Sequence, residues 1–294
     1  MDLYLSIFTQ IMITVISVAG VFVLTGMTGM FSLGQAAFMA IGAYVSGILV
    51  KNSWAPFPIA CILAVLAAVA VGFIVGIPTM RLRRDYIALV TLGFGEAITS
   101  LLNRATAITG GAAGLSVTKK TTLSLVIISC VFTILLVAFF KKSKYGRQCI
   151  AIRSDELAAK ATGINVARIK MTAFLLSVAV TAYSGCLYVF FTTYVDPSLF
   201  GWKKSADWVI IVFFGSAGSI TGTVLSAFVL TGLPELLRFL QSYRNVFYAV
   251  LVLLVINFKP SGLLGDWELT PGNVINLFRR RTSSAKAQGR GGGK

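Results

Sequence analysis

Long apolar runs joined by short polar or glycine-rich connections make up most of this chain. The runs fall at about residues 5–24, 31–50, 59–80, 86–103, 121–140, 171–192, 207–214, 220–240 and 246–258. A helix needs about 20 mostly apolar residues to cross a ~30 Å hydrocarbon core, and most of these runs approach that length. The pattern predicts an all-α fold: a polytopic membrane helical bundle of about 8–9 transmembrane segments. Segment 207–214 is too short to cross as a straight helix, and Gly215, Gly218 and Gly222 interrupt the stretch beyond it. Broken or re-entrant helices are expected there, since irregular backbone is tolerated where protein buries it or where it lines a cavity. One run also shows how it packs. Ala60, Ala64, Ala68, Gly72 and Gly76 recur every four residues and form a single small-residue stripe. Such stripes let helix backbones approach closely in lipid, either as static packing, the commoner use, or as a sliding surface.

Composition narrows the class further. Hydrophobic residues make up 56% of the chain and charged ones 12%, where soluble domains carry roughly 25% charged. A soluble globule is excluded. So is a single-pass receptor, because no polar stretch is long enough to form its aqueous domain. Lys and Arg number 26 against 10 Asp and Glu, giving +16. Eighteen of the 26 sit in three clusters: Arg81, Arg83 and Arg84; eight between residues 141 and 170; and seven between 259 and 294. All three clusters lie at ends of apolar runs, as cytoplasmic loops do under the positive-inside rule, so the charge does not point to nucleic acid. Placing the clusters inside gives an alternating path with the N-terminus outside and the C-terminus inside; the glycine-rich segment 26–34 could still conceal a half-crossing. The N-terminus lacks the basic region of a signal peptide. Residues 266–294 read as a basic, disordered cytoplasmic tail. The ending at 289–294 is no phosphate loop, because no Ser or Thr follows its Lys and no strand or helix flanks it.

Chemistry concentrates in two places. The polar loop 141–170 contains Ser154, a candidate cap for a short helix whose first turn holds Asp155 and Glu156. Ala158 and Ala159 give that helix a compact surface, and Gly163 is a natural stop. It is shaped to press into a groove on another protein, although an ordinary solvated loop fits the same residues. In the run 86–103, Glu96, Thr99 and Asn103 share one helix face. A carboxylate at mid-helix should face protein or a water-filled cavity, in a structural or a pathway role. Glycine clusters at 26–29, 110–114 and 215–222 resemble the unwound backbone with which transporters build polar sites. With no His, no paired intramembrane carboxylates and no Cys in a ligand or CxxC pattern, enzyme chemistry and metal binding have little support. Three transport classes remain: the permease subunit of an ATP-driven transporter, an ion-coupled secondary transporter, and a channel. The lone Glu96 and the capped helix favour the first.

Several motifs carry a family resemblance. They are Ser32-Leu-Gly-Gln35, Tyr86 through Glu96, Ile108 through Gly114, Gly146 through Arg153, Gly163-Ile-Asn165, Lys170 through Phe174, and Lys259 through Leu263. In this order and spacing the chain resembles the permeases of branched-chain amino-acid ABC importers over about residues 20–265. The resemblance implies a transmembrane permease domain over 1–265, in a bacterial inner membrane, with a cytoplasmic coupling loop at 141–170. It implies a second homologous permease, two cytoplasmic ATPases that use the ATP, and an extracytoplasmic substrate-binding protein; this chain would bind no cofactor. Ser32, Gln35, Thr91, Glu96, Thr99, Asn103, Gly110 and Gly111 become candidates for the substrate pathway. Ser154, Asp155, Glu156, Ala158, Ala159 and Gly163 become candidates for the ATPase-coupling helix. Leu157 stands where the coupling motif has Glu, Ser216 stands where the family usually has Gly, and the loop 114–121 is short for the family. Leucine, isoleucine and valine are the expected substrates, with urea or short-chain amides, or ion-coupled amino-acid transport, as alternatives.

Overall fold

The structure, a computed structural model, describes residues 2–82, 84–236, 244–259, 262, 263, 265 and 268. The tail expected over 266–294 lies outside the described residues except for Glu268. Each of the nine apolar runs contributes a helix. In chain order the helices are α1 (Asp2–Val21), α2 (Gln35–Lys51), α3 (Phe57–Thr79), α4 (Arg84–Arg104), a single turn α5 (Thr106–Thr109) and α6 (Leu123–Lys142). They continue with α7 (Lys144–Ser154), α8 (Glu156–Ala161), α9 (Val166–Thr192), α10 (Trp202–Gly215), α11 (Ile220–Leu236) and α12 (Arg244–Phe258). Among the described residues, five helical stretches are long and apolar enough to cross a membrane: Tyr4–Gly26, Phe57–Thr79, Tyr86–Arg104, Leu123–Lys142 and Val166–Thr192. The count of 8–9 segments is therefore met in helices and only partly in full-length crossings.

The shorter helices show where the breaks lie. The run expected at 31–50 starts as a helix only at Gln35, whose side chain meets Thr181 in the middle of α9. Before it, α1 passes into a buried π-helix, Phe22–Gly26, which continues as helix through Thr28, and residues 29–34 are non-helical. The half-crossing allowed for in the sequence is thus irregular backbone buried inside protein. The short run 207–214 extends backwards to Trp202, because Lys203, Lys204 and Asp207 are tolerated in the first turns of α10. Its 14 residues still rise only about 21 Å.

Helix α9 is the axis of the bundle, and α1, α2 and α3 pack on it. Gly42 of α2 and Gly185 of α9 face each other's backbone: a Cβ on either would collide with a carbonyl of the other helix, that of Ala182 or that of Met39. The stripe on α3 is buried. Gly72 lies against Val178 and Gly76 against Met171, so the stripe serves as static packing on α9. Helix α6 packs on α1, α10 and α11 pack on each other and on α1, and α12 lies on α10 and α11. The outward faces of α3 (Ile62, Leu66, Ile74) and of the middle of α6 (Ile128, Phe132, Phe139) are aliphatic or aromatic, as suits a lipid-facing surface.

One feature escaped the hydrophobic pattern. Strand β1 (Leu115–Ser116) pairs antiparallel with β2 (Tyr194–Val195), Leu115 opposite Val195, and the Val117 N–H extends the pair by donating to the Thr193 carbonyl at 2.8 Å. Two-residue strands are too short to show alternation. This miniature sheet lies at the end of the bundle that the alternating path makes the outer one, where residues 119–123 also line a cleft with Leu5 and Thr9 near the start of α1. Gly26, Lys141, Arg153 and Ala217 gather at the opposite end, which that path makes the inner side. These placements fit the alternating path.

Candidate functional site

The loop 141–170 folds into two helices, α7 and α8, separated at Asp155 (φ −154°, ψ 114°). The cap differs from the one the sequence suggested. Ser154 ends α7 and donates its hydroxyl back to the Ile150 carbonyl, so it cannot cap α8. The cap is Asp155, whose Oδ1 accepts the N–H groups of Leu157 at 2.8 Å and Ala158 at 3.1 Å. A carboxylate does this better than a hydroxyl because it also answers the positive end of the helix dipole. At the other end Gly163, at φ +82°, lets the Ile164 N–H reach the Ala159 carbonyl and close the helix.

Glu156 fixes the helix to the bundle. Its Oε2 accepts from the Lys170 ammonium at 2.8 Å, and Lys170, in the first turns of α9, is 1% exposed. The carboxylate displaced by one position from the coupling motif therefore anchors the helix from within. Ala159, in the same helix, is buried against the body rather than exposed with Ala158. The exposed face of α8 consists of Leu157, 79% exposed, with Ala158, Lys160 and Ala161. Beside it a cleft of about 550 Å³ is lined by Arg81, Leu82, Glu156, Leu157 and Lys160.

The candidate pathway residues separate into three groups. Ser32, Gln35 and Thr91 come together inside the chain, each fully buried. Thr91 Oγ1 accepts the Leu33 N–H at 3.1 Å and Gln35 Oε1 accepts from Thr181, while the Gln35 Nε2 and the Ser32 hydroxyl have no partner among the described residues. A neighbouring bond, Ser17 to Ser184 at 2.7 Å, links α1 to α9. Within this group Gln35 ties α2 to α9 and Thr91 ties α4 to the segment before α2. Gly110 and Gly111, both at positive φ, form the turn above α4 that leads into β1, and Thr109 bonds the Leu102 carbonyl beneath them. Finally, Glu96 and Asn103 are exposed on α4, with Thr99 half-buried beside them. Unlike the faces of α3 and α6, this face of α4 mixes Leu89 and Leu101 with Gly93, Glu96, Ser100 and Asn103.

Two further features were not legible in the sequence. A cavity of about 770 Å³ lies between α1, α10 and α11, with Gln10, Thr14, Lys203 and Asp207 over an apolar wall that includes Ile11, Ile211 and Leu230. At the inner side Lys141 and Arg153 bond to main-chain carbonyls of distant segments. Charge runs suggest solvent or orientation, and only the fold shows that these two cations are engaged.

A multi-helix membrane chain with a capped helix on its inner side and a polar, uncovered face has the form of a transporter's permease subunit. The chain belongs to the family described as "branched-chain amino acid transport system / permease component", whose model matches residues 3–257. It is 32% identical to the high-affinity branched-chain amino acid transport system permease protein LivM of Salmonella typhimurium, over 87% of this chain and 68% of that protein. The LivM of Escherichia coli K12 is also 32% identical, with the same shares covered. The LivH permease of the same system in Salmonella typhimurium is 25% identical over 83% of this chain and 88% of its own length. No solved structure gave a significant match.

Proposed function

We propose that this chain is the translocation subunit of an ATP-driven importer of branched-chain amino acids in a bacterial inner membrane. ATP is hydrolysed by separate subunits that dock on α8. The observation that carries this reading is the mounting of α8: capped by Asp155, anchored through Glu156 to a buried Lys170, and presenting Leu157 outward. A solvated loop needs no buried cation beneath it. The family match supplies the substrate class, and LivM and LivH as relatives of one system support a second, homologous permease as partner. An extracytoplasmic binding protein would deliver substrate to the outer side. The substrate would pass along the polar face of α4, with Glu96 and Asn103 beside it and the second permease covering it.

Purification of the tagged chain from its native membrane in mild detergent, followed by mass spectrometry, should recover two ATPase copies and a second permease. A homo-oligomer that takes up amino acids on an ion gradient alone would overturn the reading. Leu157→Arg should release the ATPases while leaving the permease pair inserted. Uptake into proteoliposomes should favour leucine, isoleucine and valine over urea and short-chain amides.

A further inference from the structure

Arg153 precedes the α8 cap by two residues, and its guanidinium reaches well beyond α7. Nη1 donates to the Gly26 carbonyl at 2.6 Å and to the Ala217 carbonyl at 2.8 Å. Gly26 ends the π-helix that follows α1, and Ala217 lies in the turn that ends α10. The Gly26 carbonyl lies where a helix ends, so it lacks an intrahelical donor and carries the negative end of the dipole, and the Ala217 carbonyl lies in a turn outside both neighbouring helices; a cation suits both. Lys141, at the inner end of α6, donates to the Gly218 carbonyl at 2.5 Å and pairs with Glu268. The positive-inside rule accounts for basic residues on this side. It does not account for two breaks, almost 200 positions apart in the sequence, meeting on one side chain.

We propose that Arg153 is the positioning residue that carries movement of the docking helix to α1 and α10. The end of α7, the inner end of α1 and the α10–α11 turn then move as one body. Helices α1 and α10 wall the outer cavity, and α10 also packs on α4, so tilting the pair alters both polar surfaces. Both bonds leave one guanidinium nitrogen, whose two hydrogens are fixed in the plane of the group, whereas a lysine ammonium is a point charge with freely rotating donors. The proposal rests on the reading of α8 as the ATPase-docking helix.

The test uses the complete importer in proteoliposomes, measuring uptake and ATP hydrolysis together. Arg153→Gln should retain hydrolysis while uptake per ATP falls about tenfold, the scale of one charge-assisted hydrogen bond. Arg153→Lys should lie between the two. Arg147→Gln, which removes an exposed charge from the same helix, should behave as the parent. A parental ratio of uptake to hydrolysis in Arg153→Gln would overturn the proposal. A second measurement does not depend on that variant folding. Ser154 and Ala217 line one cleft of about 590 Å³, and the four native cysteines are buried. Bridging Ser154→Cys to Ala217→Cys with a thiol cross-linker should leave uptake intact and restore coupling to Arg153→Gln. Transport that stops on cross-linking would show that these parts separate during the cycle, and would overturn the single-body link. A parent complex that contains no ATPases would instead remove the underlying reading of α8.

Discussion

At Ser216 the backbone sits at φ 128°, ψ 126°, a region that suits glycine. The family resemblance places a glycine here, and the geometry supplies the reason. The hydroxyl recovers part of the cost by accepting the Gly218 N–H at 3.2 Å. A residue held in such a region costs about 1–3 kcal/mol, so Ser216→Gly should raise the thermal unfolding temperature in detergent, by the equivalent of about 1 kcal/mol after the lost hydrogen bond. An unchanged or lower temperature would show that the turn is not strained. Glu156 illustrates the limit of reading residues alone. Its place in the first turn of a short helix was legible, because Asp and Glu favour that end of the dipole. Its ion pair was not, because Lys170 lies 14 positions away across a turn whose direction no local pattern encodes.

Among the elements, those with a strong period were plain in the sequence. The four-residue repeat on α3 appears in the fold as the face packed on α9, and each apolar run became a helix because long hydrophobic stretches have one stable backbone solution in lipid. What was hidden depends on partners distant in sequence: the β1–β2 pairing, the backward extension of α10, and the transfer of the α8 cap from Ser154 to Asp155. The crossing of α2 and α9 permits a sharp expectation. Gly185→Ala would drive a methyl group into the Met39 carbonyl, and such overpacking costs about 1–3 kcal/mol. Detergent-solubilised Gly185→Ala should unfold at a lower temperature and yield less monodisperse protein. Ala at Gly93, where nothing lies within 4 Å of the added Cβ, should change neither.

On the scale of the whole molecule, the chain covers its own polar interior but leaves one polar stripe bare. Ser32, Gln35 and Thr91 are enclosed, while Glu96 and Asn103 are not. A carboxylate facing lipid at mid-helix costs about 2.5–3.5 kcal/mol on insertion scales, so the α4 face calls for a protein or water neighbour beyond those that the described residues supply. Glu96→Gln in the assembled importer should lower uptake about tenfold if the carboxylate meets the substrate ammonium, a charged hydrogen bond being worth about 1.5–3 kcal/mol. Full uptake from an equally stable complex would remove Glu96 from both the pathway and the interface. The face was legible in the sequence as an i, i+3, i+7 set; whether it pointed inward or outward was not, because that depends on which side of α4 meets α2 and α10.

The small sheet on the outer side has a consequence for how the chain is made. Leu115 can meet Val195 only after α6, α7, α8 and α9 have been synthesised. If α6 and α9 insert as a correctly antiparallel pair, both strands emerge on the same side of the bilayer. If either is inverted or skipped, the strands are left on opposite sides and the ladder cannot form. The ladder is thus compatible only with a chain in which α6 and α9 cross the bilayer in opposite directions.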